Sequence, residues 1–465
     1  MTLETRTAAH ATGPGPSDRE GAGHRPPPDA PIRHFIGALV LVLVIGLVIG
    51  RFVLAGSGAG EDSQPLALDQ SLADQIARLE KTTAQQPDNL GAWQRLGLLY
   101  TRRAVQVGDP SFYDLAGKAF DKADGIVRDD PATLLRRGNL ALSLHEFAKA
   151  LDYGERARAA LPERLDPLVV LIDAEVELGR YDAAAEHVQQ LLDRRPDLPA
   201  LARASYLLEL HGDLSRAVTA MLQADAAGTG DAFDQATVVA LLGDLYLKQG
   251  QLDAADAAYQ RAEGLAPGLV PAAVGRARVL AARGERAQAI MLLSQVVARY
   301  PQPAAVVLLG ELQAVDGRTE DAAKTFALVR RIAALQRQAG QVTDLEMALF
   351  EADHGDPRRA VALSAAAYDA RPDNVFVNDA RAWTLFKAGR AGEATTYADQ
   401  ALRLGSADAL LRYHAAEVFA AAGQPDRARA ELRRAFDLNP WFSPFHAKDA
   451  IALAARLGVK VTVPS

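Results

Sequence analysis

Nine histidines have the widest chemical reach of any side chains in this chain: His10, His24, His34, His145, His187, His211, His354, His414 and His446. Imidazole can act as general base, proton relay or metal ligand near neutral pH. None of the nine pairs with another at ligand spacing. His145-Glu146 lacks the second histidine that an H-E-x-x-H zinc helix needs. There is no cysteine, which removes disulfides, thiol nucleophiles and zinc ribbons. No G-x-S-x-G elbow, phosphate loop or dinucleotide fingerprint occurs in the setting each requires. The many Asp and Glu read as solvated helix faces. The expectation is no catalytic residue, no metal site and no cofactor. A formal charge of −7 offers no basic surface to neutralise phosphates, so nucleic acid is not an expected partner.

The elements that could position a binding surface are visible as a repeat. Ala116, Ala150, Ala184, Ala217, Ala255, Ala289, Ala322, Ala360, Ala394 and Ala428 follow one another at steps of 33 to 38 residues. Five residues before eight of them stand Gly179, Gly212, Gly250, Gly284, Gly317, Gly355, Gly389 and Gly423. Twelve residues after six of them stand Pro162, Pro196, Pro267, Pro301, Pro372 and Pro440. The second unit has His145 where glycine is expected. In the pattern these residues set, a first helix ends at a glycine in the left-handed conformation, a second runs past the small residue, and proline stops it. Each hairpin leaves an apolar face that only the next hairpin covers, so the units stack. Two steps of 38 residues imply longer loops or helices near Ala226–Phe233 and Ala333–Gln341.

The fullest unit is Val239, Leu242, Gly243, Tyr246, Gly250, Ala255, Tyr259, Ala262 and Pro267. Trp93, Leu96, Gly97, Tyr100, Ala116 and Phe120 repeat its spacing, with extra residues between the helices. These residues resemble the tetratricopeptide-repeat (TPR) pattern of W-x2-L-G-x2-Y, A-x3-F and P. The resemblance covers about residues 66–442. It implies an all-α, right-handed superhelical solenoid of about ten helix-turn-helix repeats that binds other proteins. Leu72, Ile76 and Leu79 before Pro87 suggest a lone N-terminal capping helix. Ser443-Pro444 suggests the start of a C-terminal capping helix reaching about Leu457, within a final segment 443–465. The unit arrangement and Leu438-Asn439-Pro440-Trp441-Phe442-Ser443-Pro444 also resemble membrane-anchored TPR proteins of high-GC bacteria.

In that family the first helix of each unit lines a concave groove that receives a peptide or partner helix. The matching positions are Asp173, Tyr206, Asp244, Lys248, Arg278, Glu311, Asp379, Trp383, Phe386, Lys387, Tyr413 and Glu417. Trp383, Phe386 and Tyr413 could anchor a partner, since aromatics dominate interface hot spots; alternatively they pack between neighbouring units. The family's carboxylate clamp, a lysine and asparagines on successive first helices, is absent: Gln94, Leu98, Leu135 and Asn139 occupy the matching places of the first two units.

Ahead of the repeat, residues 1–34 carry Gly13 to Pro16 and Pro26 to Pro28 and no apolar period, the composition of a disordered tail. Residues 35–55 are apolar except for Arg51, enough for one transmembrane helix through a lipid bilayer. Arg19, Arg25 and Arg33 precede the span, and no Lys or Arg follows it until Arg78. The positive-inside bias therefore puts the N-terminus in the cytoplasm and the repeat outside the inner membrane. Residues 56–65 read as a flexible linker. Small residues from Ala55 to Ala59 allow an alternative, a cleaved signal peptide and a soluble secreted protein.

Overall fold

The computed structural model describes residues 72–228 and 230–461. The expected tail, membrane span and linker lie outside the described residues. Among those residues the chain forms 22 α-helices and no strand, and no helix is long and apolar enough to cross a membrane.

Helix α1 (Leu72–Gln85) stands alone at the N-terminal end. Ten antiparallel pairs follow. They are α2 (Leu90–Val107) with α3 (Ser111–Ile126), α4 (Pro131–Ser143) with α5 (Phe147–Ala160), α6 (Asp166–Glu177) with α7 (Tyr181–Arg194), and α8 (Leu198–Leu210) with α9 (Leu214–Ala227). Then come α10 (Ala232–Lys248) with α11 (Leu252–Leu265), α12 (Val270–Ala282) with α13 (Arg286–Arg299), and α14 (Pro303–Val315) with α15 (Thr319–Gln338). The series ends with α16 (Asp344–His354) and α17 (Pro357–Ala370), α18 (Val375–Lys387) and α19 (Ala391–Leu402), α20 (Ala409–Ala421) and α21 (Pro425–Leu438), and the unpaired α22 (Ala447–Leu457). Second helices also pack on the next unit's first helix, and the buried side chains form a series of clusters along the array, the largest of which joins the second to fourth units to the eighth to tenth.

The repeat residues explain this packing. Nine of the ten marker alanines are 0% exposed and Ala322 is 3% exposed, so each sits where the two helices cross. The small residue ahead of each crossing admits an aromatic ring. A Cβ at Gly97 would lie 2.4 Å from the Phe120 ring, and one at Gly275 would lie 2.2 Å from the Tyr259 ring. Seven of the eight predicted turn glycines adopt φ between 68° and 79°. His145, at the glycine position of the second unit, adopts φ 60°, a left-handed conformation that costs a non-glycine residue about 1–2 kcal/mol. Its Nδ1 donates to the Val342 carbonyl at 2.8 Å, which offsets part of that strain.

Two expectations shift, and the choice between longer loops and longer helices is decided. Gly355 has φ −149° and is not left-handed. It is glycine because the Glu351 carboxylate folds over it: a Cβ there would lie 1.7 Å from Glu351 Oε2. The 38-residue steps become longer helices, α10 with 17 residues and α15 with 20. Ser443-Pro444 does not open the last helix. The Ser443 hydroxyl accepts the His446 amide at 3.2 Å within a turn, and α22 begins at Ala447.

Units six apart touch. The Gln302 side chain, just before α14, donates to the Val105 carbonyl at the end of α2 (3.3 Å). Gln341, before α16, donates to Ser143 at the end of α4 (3.3 Å). Asn374, before α18, donates to Glu177 at the end of α6 (2.9 Å), and Asn439, ahead of α22, donates to Leu247 in α10 (2.9 Å). Three of these amides fill carbonyls that a helix end leaves unpaired, and Asn439 adds a second donor to the Leu247 carbonyl, which also accepts the Gly250 amide at 3.0 Å. The result is a closed seam between the first superhelical turn and the second. The turn glycines record it. At Gly179 a Cβ would lie 2.3 Å from Asp373 backbone, and at Gly108 3.1 Å from Gln302. At Gly284, Gly317, Gly389 and Gly423 it would meet nothing within 4 Å.

Candidate functional site: the inner wall of the superhelix

Closing the seam encloses a lumen of about 780 Å³, within the ~300–1,000 Å³ range of ligand sites. First helices supply most of one wall: Phe233 and Thr237 from α10, Arg278 from α12, Val307 and Glu311 from α14, Met347 and Phe350 from α16. The ends of α2 and α4 and the connection Asn439–Ala447 supply the opposite side. First helices face inward because their small and apolar positions recur at helical spacing, while second helices turn charged faces outward.

Of the twelve groove residues expected from sequence, Arg278 and Glu311 line the lumen. Glu311 lies 3.2 Å from His354 Nε2. Most of the others bond within the chain. Asp173 is 5% exposed and holds Arg203 through both carboxylate oxygens, at 2.8 and 2.5 Å. Asp244 accepts from the Tyr259 hydroxyl at 2.7 Å. Lys248 bridges Glu209 (2.8 Å) and Asp408 (3.0 Å), tying the fourth, fifth and tenth units together. Burial opposes its charge, but the two carboxylates win and hold its ammonium above the ordinary lysine range. Tyr206 is half-buried, and burial pushes its phenol well above the usual range.

The aromatic patch follows the packing alternative. Trp383 and Tyr413 are each 1% exposed. The Trp383 indole N–H donates to Asp353 (3.0 Å), and its ring stacks on His414 at 4.0 Å. His414 in turn donates from Nδ1 to Asp379 (3.0 Å). Phe386 lies 5.1 Å from Trp383, and Lys387 pairs with Asp353 (3.1 Å) while standing over the Trp383 ring. The Tyr413 hydroxyl donates to Glu417 (3.3 Å), which also faces Arg456. The connection ahead of α22 covers this layer: Phe442 lies 5.4 Å from Tyr413, His446 5.5 Å from Trp383, and Phe445 4.7 Å from His354. Asp353 sits at its centre. Burial would raise its carboxyl, but His446, Lys387 and His414 hold it well below the usual range.

Residues that sequence reasoning missed include Thr237, Val307, Met347 and Phe350 on the wall and the four seam amides. The amides had a signal. Gln302 and Asn374 stand at the N-cap of a late first helix, where earlier units carry Asp130, Asp197 or Asp231, while Gln341 lies two residues ahead of such a cap and Asn439 caps the end of α21.

A buried pair strengthens the seam. Arg371 donates to Glu177 Oε2 at 2.5 Å, with Glu177 0% and Arg371 8% exposed. Burial pushes the Glu177 carboxyl up to about 7, against the pull of Arg371. The lumen wall therefore presents shape, apolar surface and a few charges. Among the described residues no group of His, Asp and Glu is arranged to hold a metal ion.

Family models described as tetratricopeptide repeat match residues 169–232 and 274–336, and a second such model matches residues 236–268. No curated protein sequence matches the chain. Solved structures that resemble it include a thermophilic TPR protein of Thermus thermophilus, 22% identical, covering 45% of this chain and 99% of that one with a TM-score of 0.34. A tetratricopeptide repeat protein of Parabacteroides merdae is 17% identical, covering 56% and 98%, with a TM-score of 0.32. Human IFIT1, solved as a dimer with PPP-AAAA, is 13% identical, covering 84% and 94%, with a TM-score of 0.42.

Proposed function

This chain belongs to the tetratricopeptide-repeat superfamily, and from that premise we propose that it is a scaffold that docks other proteins through its inner wall while tethered at the outer face of the cytoplasmic membrane. The observation that carries the docking role is the lumen. It is walled by first helices, mixes apolar side chains with few charges, and is large enough to take a short stretch of chain. The tether rests on the apolar segment 35–55 and on the basic residues ahead of it. Tethering confines the scaffold to a thin shell at the membrane and raises its effective concentration toward partners there.

Affinity capture from detergent extracts, with mass spectrometry, tests the docking role. Val307→Arg places a charge in the lumen and should abolish capture of partners while helix content is unchanged. Equal capture by both proteins would remove the lumen from the reading. Protease accessibility on intact spheroplasts tests topology, with cleavage of the repeat region expected from outside. The small residues Ala55 to Ala59 favour a second reading, a soluble secreted form. A mature N-terminus near Ser57 would establish that form and end the anchored one.

A further inference from the structure

Most charged groups on the lumen wall have a polar partner within 4 Å. Glu311 faces His354 at 3.2 Å, and Glu346 faces His145 at 3.6 Å. Asp353 is held by Lys387 at 3.1 Å and His446 at 3.5 Å. Arg286 stands 3.6 Å from Asp316. Arg278, half-buried on α12 and also lining the lumen, has no carboxylate partner among the described residues. Phe233, Val307, Met347, Phe350 and Trp441 line the same lumen. A guanidinium in such surroundings has lost part of its hydration and gained no counter-charge. A carboxylate brought to it would form a charge-assisted, planar pair in a partly dry site, the strongest kind of hydrogen bond a side chain makes.

We propose that the lumen recognises a short segment of a partner chain by an acidic side chain, Asp or Glu, which pairs with Arg278 while flanking apolar side chains lie against Met347, Phe350 and Trp441. This deepens the docking role proposed above and rests on it. The acidic side chain gives register and selectivity, and the apolar flanks give area.

The test uses the full-length chain and an array of short synthetic peptides, acetylated and amidated so that side chains carry the only carboxylates. Each peptide has apolar flanks around a central Asp, Glu, Asn or Lys. Wild type should retain the Asp and Glu peptides about tenfold or more above the Asn peptides. R278Q should bring that ratio close to one, and R278E should turn the preference toward Lys, both variants keeping wild-type helix content. R278Q, nearly isosteric and uncharged, carries the test if R278E does not fold. Retention indifferent to the central residue, or an acidic preference that survives R278Q, overturns the role of Arg278 and leaves the lumen as a docking site. Retention only of a parallel series with free C-terminal carboxylates overturns the side-chain source. No retention of any peptide overturns the lumen as a peptide site and this inference with it.

Discussion

The seam pair Glu177–Arg371 makes a pH prediction that is worked from its burial. Glu177 is fully buried, and its carboxyl rises from the ordinary 4.5 to about 7 because burial disfavours the charged form more than Arg371 restores it. The folded state therefore holds a proton that the unfolded chain has already released. The associated stability is fully present below pH 4.5 and is lost as pH rises through 7. The whole effect is about 3 kcal/mol, most of it falling between pH 5 and 8. The substitution is Glu177→Gln, which keeps the volume and removes the titration. Opening free energy is read by native-state hydrogen exchange at the Val375 amide, which bonds the Tyr181 hydroxyl across the seam at 3.2 Å. Relative to the variant, the wild type should lose about 2–3 kcal/mol from pH 5 to pH 8. Subtraction cancels every group the two proteins share. A difference that stays constant within about 0.5 kcal/mol would refute the elevated carboxyl and the argument from burial behind it.

Other perturbations separate packing from seam. Gly179→Ala and Gly423→Ala impose the same left-handed strain of about 1–2 kcal/mol, but only the first drives a Cβ into Asp373; Gly179→Ala should therefore lower the urea midpoint further. Asn374→Ala removes the donor to the Glu177 carbonyl and the cap of α18, and should cost about 1–3 kcal/mol with faster exchange at the end of α6. Gly275→Ala forces a methyl against the Tyr259 ring and should cost about 1–3 kcal/mol in thermal unfolding. Arg371→Met leaves Glu177 without its cation and should destabilise by about 3–5 kcal/mol at pH 8 but less at pH 5, where the carboxyl is protonated.

The repeat was legible because its determinants are local. Alanine at each helix crossing, glycine at the turn and proline after the second helix act within one hairpin, and the burial of the marker alanines follows from that. The lone N-terminal helix was legible for the same reason, as an apolar stripe ahead of a proline, whereas Ser443-Pro444 pointed to the C-terminal helix but misplaced its start. The seam was not. It depends on a small rotation accumulated over six units, and it joins residues such as Asn374 and Glu177 that no local spacing connects. The groove residues were legible by face and not by exposure. Position on the first helix put Arg278 and Glu311 on the inner wall. The same rule could not say that Trp383 and Tyr413 would lie beneath the connection that carries Phe442 and His446. His145 shows the limit most clearly: its departure from glycine is explained only by Val342, in the next superhelical turn.

Fastening one turn to the next changes the mechanics of the whole body. An open coil lengthens under load by small rotations at every joint, and its grip on a guest loosens gradually. Here extension must first tear the amide-to-carbonyl links from Gln302, Gln341, Asn374 and Asn439. The protein should resist pulling as a stiff rod up to a threshold and then yield in steps, keeping its inner passage at one width until it does.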